Sequence, residues 1–322
     1  MNPGSGAAGP ACPGIDRHAH LEGSLGPAWV RAEAARRGLG IPGSLEALWR
    51  GEARPFEAFI EAFLFAASFL DSRNAVRAAM GAALRRLGTV PAGLDLWVSP
   101  HFLVAWKGLL SLEELWRGLE DGVEEAARAG VPVAVVLDAV NSFGPKHGHA
   151  VLDLVEADLP AFVRGFSTGG LEQVPFRDWA PVFERARRAG LALAAHAGEN
   201  GPGSNVRAAV EEAGVARIVH GVRAAEDPAL LAWLAERRVP VDVCLTSNRG
   251  LVPELADPAS HPLPRMLRAG VRCALGTDDP GVLPCDLPGE WAAARALGLT
   301  DAEMADLARN AAQDAWCLAP RG

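Results

Sequence analysis

The chain has 322 residues, 49% hydrophobic and 22% charged, and its 35 Gly and 24 Pro carry no period, which excludes a collagen-like or disordered chain. With 31 Lys+Arg against 39 Asp+Glu the formal net charge is −8, and the absence of a long basic run argues against a nucleic-acid partner. Five cysteines without a Cys-x-x-Cys pair argue against a disulfide framework and a thiolate zinc site, and point to a reducing compartment.

Residues 1–14 (MNPGSGAAGPACPG) read as a flexible Gly/Pro/Ala tail without the charged and apolar regions of a secretory signal. No window reaches the roughly 18 apolar residues of a membrane helix, so a cytoplasmic location is expected. Beyond the tail, short β-rich segments alternate with longer helical stretches. Strand Ile15–His20 is followed by helices over Pro27–Arg37 and Pro55–Leu87, then strand Leu94–Phe102 by helix Ser111–Ala129. Strand Val131–Ala139 precedes helix Lys146–Asp158, and strand Phe162–Thr168 precedes helix Pro175–Ala189. Strand Leu191–Gly198 leads to helix Gly203–Ala213, and strand Arg217–Gly221 to helix Asp227–Glu236. Strand Pro240–Thr246, helix His261–Ala269 and strand Arg272–Asp279 complete the series, with Gly130, Gly190 and Gly270 as helix stops.

Eight strand–helix units predict an α/β protein, a closed (β/α)8 TIM barrel over residues 15–322 in a single domain, with a helical insertion between strands 1 and 2. In that insertion Phe56, Phe59, Phe63, Phe65 and Phe69 form a stripe suited either to the core or to a cap over the barrel mouth. Active sites of such barrels lie at the C-terminal strand ends, so polar residues there are the first to consider. His18 and His20, two apart on strand 1, point to the same side. His147 and His149 repeat the spacing but fall in what reads as a solvated loop or helix start. His196 ends strand 5, His220 ends strand 6, and Asp278-Asp279 end strand 8.

Three neutral imidazoles and a carboxylate suit one zinc ion with a water in an open position, giving His18, His20, His196 and Asp278 as the ligand set. Glu199, His220 and Asp279 remain for proton transfer beside the metal, and zinc would bring its water to a pKa of about 7. Cys244 and Cys273 read as small buried hydrophobes.

These residues resemble the adenosine deaminase family of the amidohydrolase superfamily. The resemblance runs from Asp16 to about Ala312 through Asp16-Arg17-His18-Ala19-His20-Leu21-Glu22-Gly23-Ser24, Ser99-Pro100-His101, His196-Ala197-Gly198-Glu199, Arg217-Ile218-Val219-His220-Gly221, Thr246-Ser247-Asn248, His261-Pro262-Leu263 and Thr277-Asp278-Asp279-Pro280. It implies a mononuclear zinc enzyme that replaces the exocyclic amine of a 6-aminopurine by oxygen, releasing ammonia. On the same basis Glu199 protonates a purine ring nitrogen and His220 orients or deprotonates the zinc water. Asp278 completes the metal shell, while Asp279 bonds the hydroxide or a purine imidazole nitrogen. Gly170 offers a backbone N–H to the purine, and Glu22 faces the sugar.

The chain departs from the family's adenosine enzymes at Glu22, where Asp is common, and in the loop Ser167-Thr168-Gly169-Gly170-Leu171-Glu172, which is less acidic. Trp97 and Asn141 stand where arginines are expected. These features resemble relatives acting on other adenine-bearing molecules, including the aminodeoxyfutalosine deaminases of menaquinone synthesis; adenine deaminase is a further alternative. In a different class, an inactive barrel would serve as a binding module. A two-metal hydrolase would need a Lys at the end of strand 4, near Phe166 and Ser167, and none is there.

Overall fold

Nearly every strand residue is buried, the mark of parallel strands with helices on one face and a filled barrel interior on the other. In the computed structural model of the protein, residues 14–88 and 92–320 are described. The expected tail, apart from Gly14, and Cys12 within it lie outside them; Gly14 is already the first residue of strand 1.

The strands are β1 (Gly14–His20), β2 (Ala92–Val98), β3 (Val133–Val140), β4 (Val163–Gly169), β5 (Ala192–Ala197), β6 (Arg217–His220), β7 (Pro240–Val243) and β8 (Arg272–Leu275). Each pairs in parallel with the next, in chain order. A bridge between Ala19 and Asp278 closes the barrel. There the Asp278 N–H donates to the His18 carbonyl (2.8 Å), and the His20 N–H donates to the Asp278 carbonyl (2.7 Å).

The insertion after β1 consists of α1 (Pro27–Arg36), α2 (Gly43–Trp49), α3 (Phe56–Ala67) and α4 (Arg73–Arg85). The outer layer continues with α5 (Leu112–Arg128), α6 (Pro145–Val155), α7 (Phe176–Arg188), α8 (Ser204–Glu211) and α9 (Pro228–Arg237). It ends with α10 (Leu245–Leu251), α11 (Leu263–Arg268), α12 (Leu287–Ala296) and α13 (Asp301–Asp314). Among the described residues no helix is long and apolar enough to cross a membrane.

The (β/α)8 expectation holds, while several boundaries move for local reasons. The stretch expected as one helix from Pro55 to Leu87 breaks in two, and Ser72 caps α4 by accepting from the Ala75 N–H. Strand 2 stops at Val98, because Pro100 has no N–H to continue a ladder, and His101–Trp106 forms a π-helical turn. Strand 7 stops at Val243. Buried Glu290 accepts the N–H groups of Leu245 (2.7 Å) and Thr246 (3.1 Å) and starts α10 there. Strand 8 stops at Leu275, before Asp278 takes φ +64°.

Inside the barrel, a register shift between Asp16 and Ala19 in β1 lets consecutive Arg17 and His18 both serve the interior. The lower interior is ionic. Arg17 meets Asp242 at 2.8 Å, and Arg217 meets Asp95 at 2.8 Å and Asp242 at 3.5 Å. Asp95 also accepts the N–H groups of Trp316 (2.9 Å) and Cys317 (2.7 Å), which pins the C-terminal turn beneath the barrel. Trp316 stacks on Trp97, and the Arg217 guanidinium lies 3.9 Å from the Trp316 ring centroid. Above this plug, Trp97, Val136, Ala194 and Val219 form an apolar layer that supports the mouth.

Asp95→Ala takes away the nearer carboxylate of buried Arg217, leaving Asp242 to serve both guanidinia, and frees the Trp316 and Cys317 N–H groups, so the unfolding free energy should drop by about 3–5 kcal/mol in chemical denaturation. A loss below about 1 kcal/mol would show that the plug does not depend on this pair.

Candidate active site

The mouth brings together residues that lie 260 positions apart in the chain. His18 and His20 come from β1, His196 from β5, and Asp278 from the segment that closes the barrel. One donor atom from each lies within 4.8 Å of all the others. His18 Nε2 is 3.1 Å and His20 Nε2 is 3.5 Å from Asp278 Oδ1. Ligands of one tetrahedral ion with bonds of about 2.0–2.2 Å are separated by about 3.4 Å, so these contacts match a shared coordination shell.

The chemistry of the donors also fits a cation. Burial pushes His18 and His20 down to about 3 and His196 well below its usual value, so all three imidazoles are neutral, the form that binds metal. Burial alone would raise Asp278, but the His18 hydrogen bond holds it well below the usual carboxylate range. The Thr168 carbonyl accepts from His196 Nδ1 (2.8 Å), which fixes the tautomer and frees Nε2. Cys244 also lies near His220 and Asp278, yet burial first and the surrounding carboxylates next push its thiol well up, leaving it a neutral neighbour rather than a thiolate ligand.

His220 ends β6 with φ +63°, and Asp278 has φ +64°; both are side chains held where few non-glycine residues go. A relay fixes the His220 ring. The Leu263 N–H donates to His261 Nδ1 (3.2 Å), His261 Nε2–H points to Asn248 Oδ1 (3.5 Å), and Asn248 Nδ2 donates to His220 Nδ1 (3.1 Å). The His220 proton therefore sits on Nε2, 3.7 Å from Glu199 Oε1 and 4.0 Å from Asp278 Oδ2. Glu199 is itself pushed up to about 7, chiefly by burial, so it holds a proton near neutrality. Asp279 is driven well above the usual range by burial and then by the Asp278 charge.

These groups line a cavity of about 300 Å³. His20, His196, Glu199, His220, Asp278, Asp279 and Gly170 face it, so most of the residues singled out in the sequence share one space. Glu22 does not line it. Its Oε1 accepts the Ser99 N–H (2.7 Å), and the side chain is fully buried behind that loop. His147, expected in a solvated segment, is half-buried at the start of α6 and accepts the Val140 N–H (3.1 Å). The phenylalanine stripe divides. Phe56, Phe59 and Phe63 of α3 line the cavity as a cap, whereas Phe65 and Phe69 pack against each other on the inner side.

Two features escaped sequence reading. Asp138, at the end of β3, lines the cavity at 5% exposure with its Oδ1 unpartnered. Its position at a barrel strand end was the available signal. A Cβ on Gly169 would sit 2.8 Å from Asp138 Oδ2 and 3.2 Å from the His196 ring, so only glycine lets the two groups approach each other. The second is Gly23, where a Cβ would fall 1.8 Å from Asp279 Oδ1. The glycine following His-Ala-His-Leu-Glu thus makes room for a carboxyl that lies next to it only in the folded chain.

Neutral imidazoles, an ionised aspartate and a buried protonated glutamate thus share one barrel rim. The adenosine deaminase family profile matches residues 13–321, and the chain belongs to that family. An aminodeoxyfutalosine deaminase from Acidothermus cellulolyticus is 33% identical over 314 residues, covering 90% of this chain and 84% of that protein. An adenine deaminase from Chelativorans sp. is 32% identical over 308 residues, covering 93% and 92%. The crystal structure of an adenine deaminase from Arthrobacter aurescens superposes with a TM-score of 0.85 at 25% identity, covering 94% of each chain. An amidohydrolase from Burkhoderia ambifaria solved with bound Zn gives a TM-score of 0.80 at 24% identity, covering 95% and 86%, a likeness of fold.

His18→Ala removes one of the four donors. The purified variant should remain folded and carry well under half an equivalent of divalent metal by elemental analysis. Full occupancy in that variant would exclude His18 from the ligand set.

Proposed function

We propose that the protein is a cytoplasmic, zinc-dependent deaminase that replaces the exocyclic amine of a 6-aminopurine nucleoside by oxygen, with release of ammonia. The observation that carries this reading is the placement of Glu199, a buried carboxyl that keeps its proton near neutrality, on the wall of the same cavity as the His/His/His/Asp cluster. One zinc ion held by His18, His20, His196 and Asp278 would supply Lewis-acid activation of water at neutral pH.

The remaining work falls to side chains. Water adds to the carbon bearing the amine, and the purine gains electron density at the adjacent ring nitrogen. Glu199 delivers its proton to that nitrogen, so negative charge never builds up on the ring, and its carboxylate takes up the proton that the attacking water sheds. His220, with its proton on Nε2, orients the attacking oxygen by donating to it. Asp279, its Oδ1 buried and unpartnered, bonds the purine imidazole nitrogen or the attacking oxygen. The carbon–nitrogen bond then breaks as the remaining proton of the added oxygen passes to the departing nitrogen, which leaves as ammonia while that oxygen becomes the carbonyl.

The cavity walls bear on the substrate. Among the described residues no Lys or Arg lines it, which disfavours a phosphorylated substrate. Asp138 offers the cavity a further hydrogen-bonding carboxyl, its Oδ1 buried and unpartnered. Glu22, whose Oε1 is held by the Ser99 N–H and whose Oε2 is buried without a partner, is the further carboxyl we assign to the sugar. Trp106 and Phe143, 48% and 49% exposed and edge to face at 5.3 Å, form an apolar rim. That rim favours a second reading within the same chemistry, aminodeoxyfutalosine deamination, in which the nucleoside carries a further group reaching the rim.

An ultraviolet assay comparing kcat/KM for adenosine, deoxyadenosine, adenine and aminodeoxyfutalosine separates these readings. Highest activity on a nucleoside-type compound is expected; highest activity on free adenine would refute the nucleoside assignment, and zinc-loaded protein inert on all four would favour a binding module. Glu199→Gln should retain metal and lose at least about 100-fold in kcat, because the donor is gone while the ligands remain. Near-wild-type turnover would remove Glu199 from the mechanism.

A further inference from the structure

We infer that Glu172 and Asn200 form a reciprocal clamp between the loops after β4 and β5, and that both are positioning residues for the Glu199 carboxyl. The inference rests on the reading of Glu199 as the proton donor. The ladder between β4 and β5 ends early, with Gly165 opposite Ala192 and Phe166 opposite Leu193. The strands nevertheless run on to Gly169 and Ala197. Sheet pairing therefore stops before the two loops that carry Gly170 and Glu199, and something else must set their spacing.

The Glu172 carboxylate supplies one half of that connection. Oε1 accepts the N–H groups of Glu199 (2.8 Å) and Gly201 (3.1 Å). Oε2 accepts the Gly198 N–H (2.9 Å) and Asn205 Nδ2 (2.8 Å). A single anion thus takes three backbone donors from one turn, a cradle that fixes the path of the turn through the residue that carries the acid. The fit is close: a Cβ on Gly201 would lie 2.6 Å from Glu172 Oε2.

Asn200 supplies the other half. Its Oδ1 accepts the Glu172 N–H (2.9 Å), and its Nδ2 donates to the Gly170 carbonyl (3.3 Å) and to Glu199 Oε2 (3.3 Å). Each loop therefore lends one side chain to the backbone of the other, and Asn200 also touches the acid itself. From outside, Arg223 Nε donates to the Glu199 carbonyl (2.9 Å). Gly170 and Glu199, both on the cavity wall, are carried as one unit although no strand pairing joins them.

The test uses zinc-loaded wild type, Glu172→Ala, Glu172→Gln, Asn200→Ala and the Glu172→Ala/Asn200→Ala double variant. Each is assayed on the best substrate among adenosine, adenine and aminodeoxyfutalosine. A displaced proton donor predicts a kcat about 10- to 100-fold lower in Glu172→Ala, with KM and zinc content within about twofold of wild type. Glu172→Gln should lie between, since one acceptor oxygen remains. The double variant should be about as slow as Glu172→Ala, because the two residues act on one unit. Hydrogen exchange should show faster exchange at the amides of Gly198, Glu199 and Gly201 in Glu172→Ala. If Glu172→Ala does not fold, Glu172→Gln and Asn200→Ala carry the test. Wild-type kcat in those variants, or a multiplicative loss in the double variant, overturns the clamp while the functional reading stands. Wild type that deaminates none of the compounds overturns the functional reading itself.

Discussion

The closure of the barrel and the assembly of the His/His/His/Asp cluster depend on the same two hydrogen bonds. Asp278 pairs with β1 through its N–H to the His18 carbonyl and its carbonyl to the His20 N–H. The residue that completes the eightfold sheet is therefore the one whose carboxylate faces the imidazoles of its two partners. Its positive φ is the local strain this requires, and the surrounding pairing over-determines it. With the backbone joined here, four donors gather without any loop having to search for them.

Burial does the rest of the electrostatic work, with opposite consequences for different groups. Removal from water keeps the three imidazoles neutral and keeps a proton on Glu199, while the hydrogen bond from His18 keeps Asp278 charged. One environment thus keeps one carboxyl ionised and another protonated on the wall of the same cavity. The buried Arg17, Asp242, Arg217 and Asp95 network lies under this layer, and Asp95 ties it to the C-terminal turn that seals the barrel's lower end.

Much of this was legible in the chain. The alternation of β-rich and helical segments identified the barrel, because each strand must be apolar on both faces and each helix on one. The His18/His20 pair was legible because alternation along a strand puts residues two apart on one side. Other features were hidden by their non-local causes. Leu245 and Thr246 read as the end of strand 7, and they open a helix instead because Glu290, more than forty positions away, captures their N–H groups. Glu22 sits close to the ligands in sequence, yet its carboxyl is drawn behind Ser99.

By itself the sequence determined the class of fold, the family and which imidazoles and carboxyls lie at strand ends, because strand periodicity and residue chemistry are written locally. Tertiary structure alone decided which carboxyls reach the cavity, how the phenylalanine stripe divides between cap and core, and which neighbour fixes each imidazole. These depend on distances between residues far apart in the chain, such as Gly23 against Asp279, Asp138 against Gly169 and Asn248 against His220. Only the closed barrel, with its β1–β8 join at Asp278, sets those distances.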